Sequence, residues 1–339
     1  MLQAIEQMIF RNLTPLSIRH LPPPDIGRAE GLSAEVYRQL EQEFQTVPPI
    51  TMHHLDPGLM SGVWSACRET LVAGPERALK ERVAVAVSGS NRCPYCVQAH
   101  TSFLEGAGGD GSAFDAVGRW AAATGDQARS EAIEAPFSVE SAPAAMGTAV
   151  MFHYINRMVN LFLDDTMMPV IGKVPLLRGP AMRIFSAVVS GRIAALDVAP
   201  GKFLTEIPEV ALPPEFRWAA GNPYVAGGLQ RFAAAAEAAG SNIDDGTRKL
   251  LLDAVAVWNG FPPGPGKGWL DGAVAVLPER SRPQARIAFL AAMASWAMDE
   301  REVTAFRREG GDGRALLDTA AWGAYLAAKR IAGWLNPPR

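Results

Sequence analysis

Cysteine is scarce in this chain, which has only three cysteines among 339 residues. Three cysteines cannot form the disulfide framework of a small secreted scaffold, and a chain of this length does not need one. In a reducing compartment, a close pair of cysteines is more often catalytic or metal-binding than structural. The position of the few thiols is therefore the first question that the sequence poses.

The chain also lacks a strong excess of charge of either sign. Its formal net charge is -3, its pI is near 6.0, and its lysines and arginines are scattered rather than clustered in a stripe. Such a sequence offers the phosphates of nucleic acid no basic surface. We therefore expect no nucleic-acid partner.

Neither a secretory signal nor a membrane-spanning segment is recognisable. The N-terminus has no basic region followed by an apolar run and a small-residue cleavage site. The most hydrophobic helix candidate, residues 146–163, is interrupted by polar residues, and no window approaches the roughly 18 consecutive apolar residues of a spanning helix. The sequence predicts a soluble, cytoplasmic protein with no membrane partner.

Most of the chain shows the apolar spacing that is typical of helices, and 48% of its residues are apolar. We predict an all-α protein with two domains, as its length favours. The predicted helices span residues 30–44, 59–72, 113–123, 144–163, 181–195, 226–239, 247–258, 285–298 and 316–335. One segment, residues 83–87, alternates β-branched and small residues, and is compatible with either a helix or a strand.

The two halves of the chain resemble each other weakly, which suggests a degenerate tandem repeat. The matching positions are Pro48 with Pro213, Leu104 with Leu270, Thr148 with Thr319, and Tyr154 with Tyr325. We interpret residues 1–170 as a first helical unit, residues 171–210 as a connector and residues 211–339 as a second, degenerate unit. The alternative is two unrelated helical regions.

Cys93 and Cys96 form a Cys-x-x-Cys motif at the start of a predicted helix. Asn91 or Cys93 can cap this helix, Pro94 suits its first turn, and Gly106 can end it. The helix dipole and the free backbone N–H groups of the first turn stabilise a thiolate. The motif therefore predicts reactive thiols whose pKa is lowered.

His100 and Glu81 complete a candidate catalytic set around the two thiols. Cys96 and His100 are four residues apart, so a helix places them on one face. The imidazole can accept a thiol proton or stabilise the thiolate, while Glu81 can orient the ring or relay its proton. The second thiol can resolve a sulfenate or mixed disulfide on the first. We expect Cys93, nearer the helix tip, to be the more accessible sulfur.

Three other interpretations fit parts of the pattern. The spacing can be a coincidence in which His100 is a core histidine and Glu81 a solvated helix residue. Cys93, Cys96 and His100 can also be three ligands of a zinc ion, although no second Cys-x-x-Cys follows. The tetrapeptide Cys-Pro-Tyr-Cys is typical of glutaredoxins, and residues 83–87 would then be the strand that precedes it, but the flanking segments are helical.

Five other polar or thiol residues carry less weight as site residues, namely His53, His54, Cys67, His153 and Arg157. Cys67 lies on a predicted helix among apolar residues and is interpreted as a small core residue. His153 and Arg157 share one helix face, and an interior polar pair is the favoured interpretation. A non-enzymatic helical scaffold with a redox-sensing cysteine pair is the remaining alternative for the whole chain.

Glu81, Cys93, Cys96 and His100 reproduce in full a pattern of Glu, eleven residues, Cys-x-x-Cys, three residues and His. This pattern resembles the redox branch of the alkyl hydroperoxidase D and carboxymuconolactone decarboxylase superfamily, and the resemblance covers residues 55–106 and extends more loosely to residue 163. It implies an all-helical homo-oligomer and a peroxidase-type oxidoreductase that uses these four residues.

The resemblance also implies where the electrons come from. No bound cofactor is expected, because in the family the dithiol is recharged by an external dithiol donor. That donor is a lipoyl-bearing protein in the best-known members, and a thioredoxin-type donor is an alternative here. The dithiol can in turn reduce a peroxiredoxin, and a hydroperoxide is the implied substrate. Members of the decarboxylase branch act on a lactone without this cysteine pair, so Cys93 and Cys96 argue against that activity.

Overall fold

A computed structural model of the protein describes residues 14–45, 47–109, 115–167, 191–193, 196–202 and 210–338. Within these ranges the secondary structure is helical, and the only β-type pairing is an isolated bridge between Ile18 and Leu163. The predicted all-α fold is confirmed. In the same ranges we find no helix whose length and apolar character would let it cross a membrane.

The first half of the structure, residues 14–167, carries the cysteine motif. Its α-helices are α1 (Gly31–Glu43), α2 (Pro48–Thr51), α3 (Pro57–Cys67), α4 (Arg77–Ser90), α5 (Pro94–Gly106), α6 (Ala116–Ala123), α7 (Gln127–Ala132) and α8 (Ala142–Phe162). A turn of π-helix, Arg68–Val72, extends α3. The predicted helix over residues 59–72 therefore exists, with its last turn widened.

The second half, residues 210–338, is helical throughout. After a 3₁₀-helix at Pro214–Ala219, its α-helices are α9 (Pro223–Ala239), α10 (Asp245–Ala256), α11 (Gly268–Val274), α12 (Arg282–Met293), α13 (Glu300–Arg308) and α14 (Gly313–Trp334). The helix predicted over residues 285–298 ends at Met293, where the chain turns into a 3₁₀-helix, Ser295–Ala297. The short helices α7, α11 and α13 were not predicted.

Helices α3 and α9 begin in the same way in the two halves. The side chain of Asp56 accepts a hydrogen bond from Leu59 N–H at the start of α3, and a proline follows the cap. Asn222 caps α9 in the same manner, again with a proline after it. Such caps satisfy backbone donors that the first turn leaves unpaired. A capped, proline-first helix is thus a shared feature of the halves.

The same two helices cross at a pair of glycines. A Cβ atom on Gly62 would lie 2.9 Å from the Arg231 carbonyl oxygen, and one on Gly228 would lie 2.9 Å from the Ser65 carbonyl oxygen. Real Cβ atoms do not approach backbone oxygens so closely, so only glycine permits this separation of the backbones. The crossing packs the two halves directly against each other.

The longest helices of the halves, α8 and α14, also correspond. Thr148 and Thr319 are each the seventh residue of their helix, and Tyr154 and Tyr325 are each the thirteenth. Both tyrosine rings pack edge-on against Phe232, at centroid distances of 4.7 and 5.5 Å. These matches support two related units. The proposed unit boundaries stay predictions, and most of the connector, with its helix over residues 181–195, lies outside the described residues.

Residues 83–87 lie inside α4, so the strand alternative is wrong. Val83, Ala84 and Val87 are buried together with Lys80 and Glu81, while the residues between them are partly exposed. This is the three-to-four-residue period of an amphipathic helix, which outweighs the β-propensity of the valines. Without a strand before the cysteine motif, the glutaredoxin-like fold is also wrong.

Candidate active site

The two cysteines lie at the turn between α4 and α5. Arg92 has a φ of 54°, the left-handed conformation that ends α4, and Cys93 N–H donates to the Ser88 carbonyl at 3.0 Å. Cys93 is then the N-cap of α5, and Pro94 is its first residue. The predicted helix start is confirmed. The Cys93 side chain makes no capping hydrogen bond, so its sulfur is available to Cys96.

Both thiols are free and buried, and each cysteine is only 1% exposed. Exposure therefore does not distinguish them, and Cys93 is not the more exposed sulfur that its helix-tip position led us to expect. Burial, followed by a hydrogen bond with Cys93, raises the pKa of Cys96 well above its ordinary value. This direction is the opposite of the one that the helix start predicted for Cys96, because desolvation outweighs the helix terminus.

Glu81 and His100 are joined by a buried hydrogen bond of 2.6 Å between Oε2 and Nδ1. The other carboxylate oxygen of Glu81 accepts from Arg77 Nε at 2.7 Å. Burial alone would raise the pKa of Glu81, but the charges and hydrogen bonds of Arg77 and His100 lower it below its ordinary value. Because Glu81 is thereby kept ionised, Nδ1 of His100 is the donor and Nε2 is the nitrogen left to exchange protons.

Two aromatic rings fix the His100 imidazole. Phe103 and Phe152 each pack perpendicular to it, with centroid distances of 5.0 and 4.6 Å. The ring is therefore held by packing against both phenylalanine rings as well as by Glu81. The structure brings the four predicted residues into one buried region on α4 and α5. Direct proton transfer between Cys96 and His100 stays a prediction, since the observed hydrogen bond of the His100 ring is the one to Glu81.

Arg77 and Asn156 are site residues that the sequence reasoning missed. Arg77 precedes Glu81 by one helical turn, and this spacing would have indicated an ion pair once residues 83–87 were assigned to a helix. Asn156 reaches the dithiol turn from α8, where its Nδ2 donates to Ser88 Oγ at 3.0 Å and its Oδ1 accepts from Asn91 Nδ2 at 3.0 Å. No local pattern around the cysteines could have indicated a residue so far along the chain.

Cys67 and His53 are interior residues away from the dithiol. Burial raises the pKa of Cys67 to about 12, which leaves it an unreactive thiol, as expected of a core residue. The ring of His53 is hydrogen bonded through both nitrogens, to the Ile50 carbonyl and to the Tyr154 hydroxyl. Burial lowers the pKa of His53 to about 4, so the ring is a neutral structural group.

His153 and Arg157 form the interior pair that the sequence favoured. Arg157 Nη1 donates to the His153 carbonyl at 2.6 Å, and its Nε donates to the Ala292 carbonyl at 3.0 Å. The guanidinium also lies 5.7 Å from the centre of the Trp258 ring. Arg157 thus ties α8 to the second half. His54 has a structural role too, because its Nδ1 pairs with the Thr51 carbonyl.

The zinc interpretation requires at least three ligands that converge. Across the described ranges, no group of three or more His, Cys, Asp or Glu side chains is placed to hold a metal ion. The absence of a bound metal stays a prediction.

The second half contacts the turn that carries Cys93. The Arg92 guanidinium lies over the Trp296 ring, 4.8 Å from its centre. Asn160 Nδ2 donates both to the Asn91 carbonyl at 3.2 Å and to Ser295 Oγ at 3.0 Å. The dithiol turn is therefore held from α8 and from the segment that follows α12.

Comparisons with known proteins show sequence similarity both at this site and over most of the chain. Residues 60–137, which include both cysteines, Glu81 and His100, match the carboxymuconolactone decarboxylase family. The chain is 32% identical over 335 residues to a protein named alkyl hydroperoxide reductase Rv2159c from Mycobacterium tuberculosis. That similarity covers 94% of this chain and 95% of the relative, so it extends through both halves.

Proposed function

Since this chain belongs to the alkyl hydroperoxidase D and carboxymuconolactone decarboxylase superfamily, we propose that it is a thiol-dependent, peroxide-reducing oxidoreductase. The observation that carries the proposal is the buried 2.6 Å hydrogen bond between Glu81 and His100, beside two free thiols on the same pair of helices. An oriented imidazole next to a thiol pair is what activation of a cysteine nucleophile requires. The name of the full-length relative points to the same class of substrate.

The first half of the reaction oxidises the dithiol. His100 Nε2 takes the proton of the attacking thiol, and the thiolate attacks one peroxide oxygen of ROOH. The O–O bond breaks, the sulfur becomes a sulfenic acid, and the leaving alkoxide takes the proton back from His100 to give ROH. The other cysteine then attacks the sulfenic sulfur, which forms the Cys93–Cys96 disulfide and releases water.

Glu81 acts on this cycle through His100. While His100 carries the thiol proton, the ring is an imidazolium whose Nδ1–H faces the ionised carboxylate. The attraction between them stabilises the charged intermediate, and the hydrogen bond keeps Nε2 turned away from Glu81. Arg77 in turn keeps Glu81 ionised. Glu81 and Arg77 are therefore positioning residues rather than groups that touch the peroxide.

An external dithiol closes the cycle. The donor attacks the Cys93–Cys96 disulfide, passes through a mixed disulfide, and leaves with its own sulfurs joined while both protein thiols are regenerated. A lipoyl-bearing or thioredoxin-type donor fits this step, and a peroxiredoxin is a candidate partner of the reduced dithiol. No bound cofactor is needed for any step. We also keep the cytoplasmic location and the homo-oligomer as predictions.

A donor-dependent peroxidase assay tests the proposal. Reduced protein is supplied with a hydroperoxide and, in turn, a lipoyl dithiol, a thioredoxin-type protein or a small dithiol. We expect repeated turnover with at least one donor and its loss in Cys93→Ser and in Cys96→Ser. Cys67→Ser, which removes the remote buried thiol, should retain turnover. If both site variants consume peroxide as fast as the unmodified protein, the proposal is wrong and the scaffold alternative gains support.

A further inference from the structure

Asn91 lies between the end of α4 and the left-handed residue Arg92, two positions before Cys93. Its side chain extends to α8, where it meets the fully buried side chains of His153 and Asn156. Buried polar groups are stable only when their donors and acceptors are satisfied. The direction of each hydrogen bond in this network therefore decides how Asn91 is held.

One end of the network is determined at Thr124. The Thr124 hydroxyl donates its hydrogen to the Ala121 carbonyl at 2.7 Å, so Nε2 of His153, 2.8 Å from Thr124 Oγ1, must be a donor. Burial lowers the pKa of His153 well below its ordinary value, so the ring is neutral and carries this one proton. Nδ1 of His153 then has only a lone pair, and it accepts from Asn91 Nδ2 at 3.1 Å.

The other end of the network is determined at Ser88. The Ser88 hydroxyl donates to the Ala84 carbonyl at 2.7 Å, so its oxygen can only accept from Asn156 Nδ2, at 3.0 Å. The remaining end of the Asn156 amide is the oxygen, Oδ1, which accepts from Asn91 Nδ2 at 3.0 Å. Two independent arguments thus assign the same nitrogen of Asn91 as the donor, and its two hydrogens go to His153 and Asn156.

Asn91 is held from α8 through its backbone as well. Its carbonyl accepts from Asn160 Nδ2 at 3.2 Å, in addition to the two hydrogen bonds of its amide. Because the next residue, Arg92, is a non-glycine residue in the left-handed conformation, the turn is unfavourable on its own and depends on such contacts. Helix α8 therefore holds the residue at which the chain enters the dithiol turn.

We propose that Asn91 is a positioning residue of the dithiol, which fixes the turn between α4 and α5 so that Cys93 stays within reach of Cys96. A disulfide between the two cysteines allows the turn one arrangement. A reduced protein that is already held in that arrangement loses less conformational entropy when the disulfide forms. The contribution of Asn91 to turnover rests on the proposed function, whereas its effect on the thiol–disulfide equilibrium does not.

The side chains on either side of Asn91 make more exposed contacts. Ser90 is exposed, and its hydroxyl donates to the Ala122 carbonyl at 3.0 Å. The Arg92 guanidinium lies over the ring of Trp296, which is partly exposed. The amide of Asn91 instead bonds to side chains with no exposed surface, so its removal leaves a buried oxygen and a buried ring nitrogen without their donor.

The order of the protons is tested on the unaltered protein. Nitrogen NMR of histidine-labelled protein distinguishes a ring nitrogen that carries a proton from one that has a lone pair, and His153→Gln identifies the resonances of His153. We expect Nε2 of His153 to be protonated and Nδ1 to be unprotonated at neutral pH. A protonated Nδ1 would overturn the proposal, because Asn91 Nδ2 could not then donate to it.

Equilibration with glutathione tests the positioning role, in a Cys67→Ser background. Oxidised glutathione takes two electrons and two protons from the dithiol and becomes two molecules of reduced glutathione, while the Cys93–Cys96 disulfide forms. We expect Asn91→Ala to lower the equilibrium constant for disulfide formation about three- to tenfold, since a buried hydrogen bond contributes about 1 kcal/mol. Tenfold corresponds to a reduction potential about 30 mV less negative. Asn91→Asp has nearly the same volume but no N–H in its side chain, and it should lower the constant at least as much.

Ser90→Ala is the matched control, because Ser90 is the preceding residue and its side chain bonds to α6 instead of α8. It should leave the equilibrium constant unchanged, and circular dichroism verifies the helical content of each variant. An unchanged constant in either Asn91 variant would overturn the proposal, as would an equal shift in Ser90→Ala. The NMR measurement needs no variant of Asn91, so it remains decisive if one of them does not fold. Because no peroxide is consumed, these results are independent of the peroxidase assay.

Discussion

The guanidinium of Arg92 lies 4.8 Å from the centre of the Trp296 ring, which joins the residue before Cys93 to the second half of the chain. Trp296 is 39% exposed although it is a large apolar side chain. All cysteines and histidines of the sequence precede residue 154, so the second half has no thiol or imidazole of its own. The second half nevertheless contacts the dithiol turn and so forms part of the surroundings of the site.

Replacing Trp296 should loosen the dithiol turn. A cation–π contact at a partly exposed site contributes about 0.5–1 kcal/mol. Because Arg92 is a non-glycine residue in the left-handed conformation, its turn depends on such support. We expect Trp296→Ala to speed the alkylation of Cys93 by roughly two- to fivefold in a Cys67→Ser, Cys96→Ser background.

Phe261→Ala is the control for that measurement, since Phe261 is also an exposed aromatic residue of the second half. Its ring takes no part in the contacts of the dithiol turn described above. Equal alkylation rates for Trp296→Ala and the parent protein would show that the Trp296 contact does not restrain the turn.

Glu81→Gln should lower turnover while leaving the thiols in place. The amide cannot stabilise the imidazolium of His100 as the ionised carboxylate does, and a positioning or electrostatic role of this kind is worth roughly 10- to 100-fold in kcat/KM. The measurement is the donor-dependent peroxidase assay over a range of pH. If Glu81 only packs the site, the variant will keep the parent kcat/KM at every pH.

Glu81 should also make stability depend on pH. Its folded-state pKa lies below the ordinary value of 4.5, so the unfolded chain binds the proton more readily. The stabilisation is therefore present above pH 4.5 and is lost as the pH falls through the lower, folded-state pKa. Denaturant unfolding of the parent and of Glu81→Gln at a series of acidic pH values should show a difference that shrinks in this window.

The grouping of the four candidate site residues was predictable from the sequence because they lie close together along the chain. Glu81, Cys93 and His100 belong to two consecutive helices, so spacing along the chain reports their arrangement in space. The same locality explains why the start of α5 was predicted from Pro94. The burial of both thiols was not predictable, because it depends on how α8 and the second half pack over the turn.

Tertiary contacts also explain which features of the structure the sequence did not predict or left ambiguous. Asn156 reaches the dithiol turn from a helix some distance along the chain, and no spacing rule relates it to its partners Ser88 and Asn91. Residues 83–87 have the composition of a strand, and burial of one helical face decides their structure instead. The weak repeat was visible at Tyr154 and Tyr325, which the fold constrains through their common contact with Phe232.

Asp318 provides a second pH-dependent prediction, with the opposite sign. Its carboxylate is buried, and although Arg314 binds one oxygen at 2.6 Å, the other oxygen has no hydrogen-bond partner among the described residues. Burial raises the pKa of Asp318 to about 6 from an ordinary 3.8. Ionisation therefore destabilises the folded protein progressively as the pH rises from 3.8 to about 6.

Asp318→Asn should remove this penalty and raise the free energy of unfolding at neutral pH by about 1–3 kcal/mol. The gain should disappear at acidic pH, where the parent carboxyl is protonated. Asp253→Asn, at an exposed residue paired with Lys249, should change stability little at either pH. A pH-independent effect of Asp318→Asn would show that ionisation of Asp318 is not its cause.

The crossing of α3 and α9 yields the last prediction. A methyl group on Gly62 or Gly228 would meet a carbonyl oxygen of the opposite helix at 2.9 Å, and backbone atoms cannot move aside as a flexible side chain does. We expect Gly62→Ala and Gly228→Ala each to destabilise the protein by about 1–3 kcal/mol through overpacking. The measurement is denaturant unfolding followed by circular dichroism.

Gly89→Ala is the matched control for the crossing, because a Cβ atom at this helical glycine meets no atom within 4 Å. Alanine there should be neutral or stabilising by up to about 1 kcal/mol, through its higher helix propensity. If Gly62→Ala and Gly228→Ala lower the free energy of unfolding and Gly89→Ala does not, glycine is required by the close approach of the two backbones rather than by helix propensity. Equal effects at all three positions would contradict a close crossing, and with it the direct packing of the two related units.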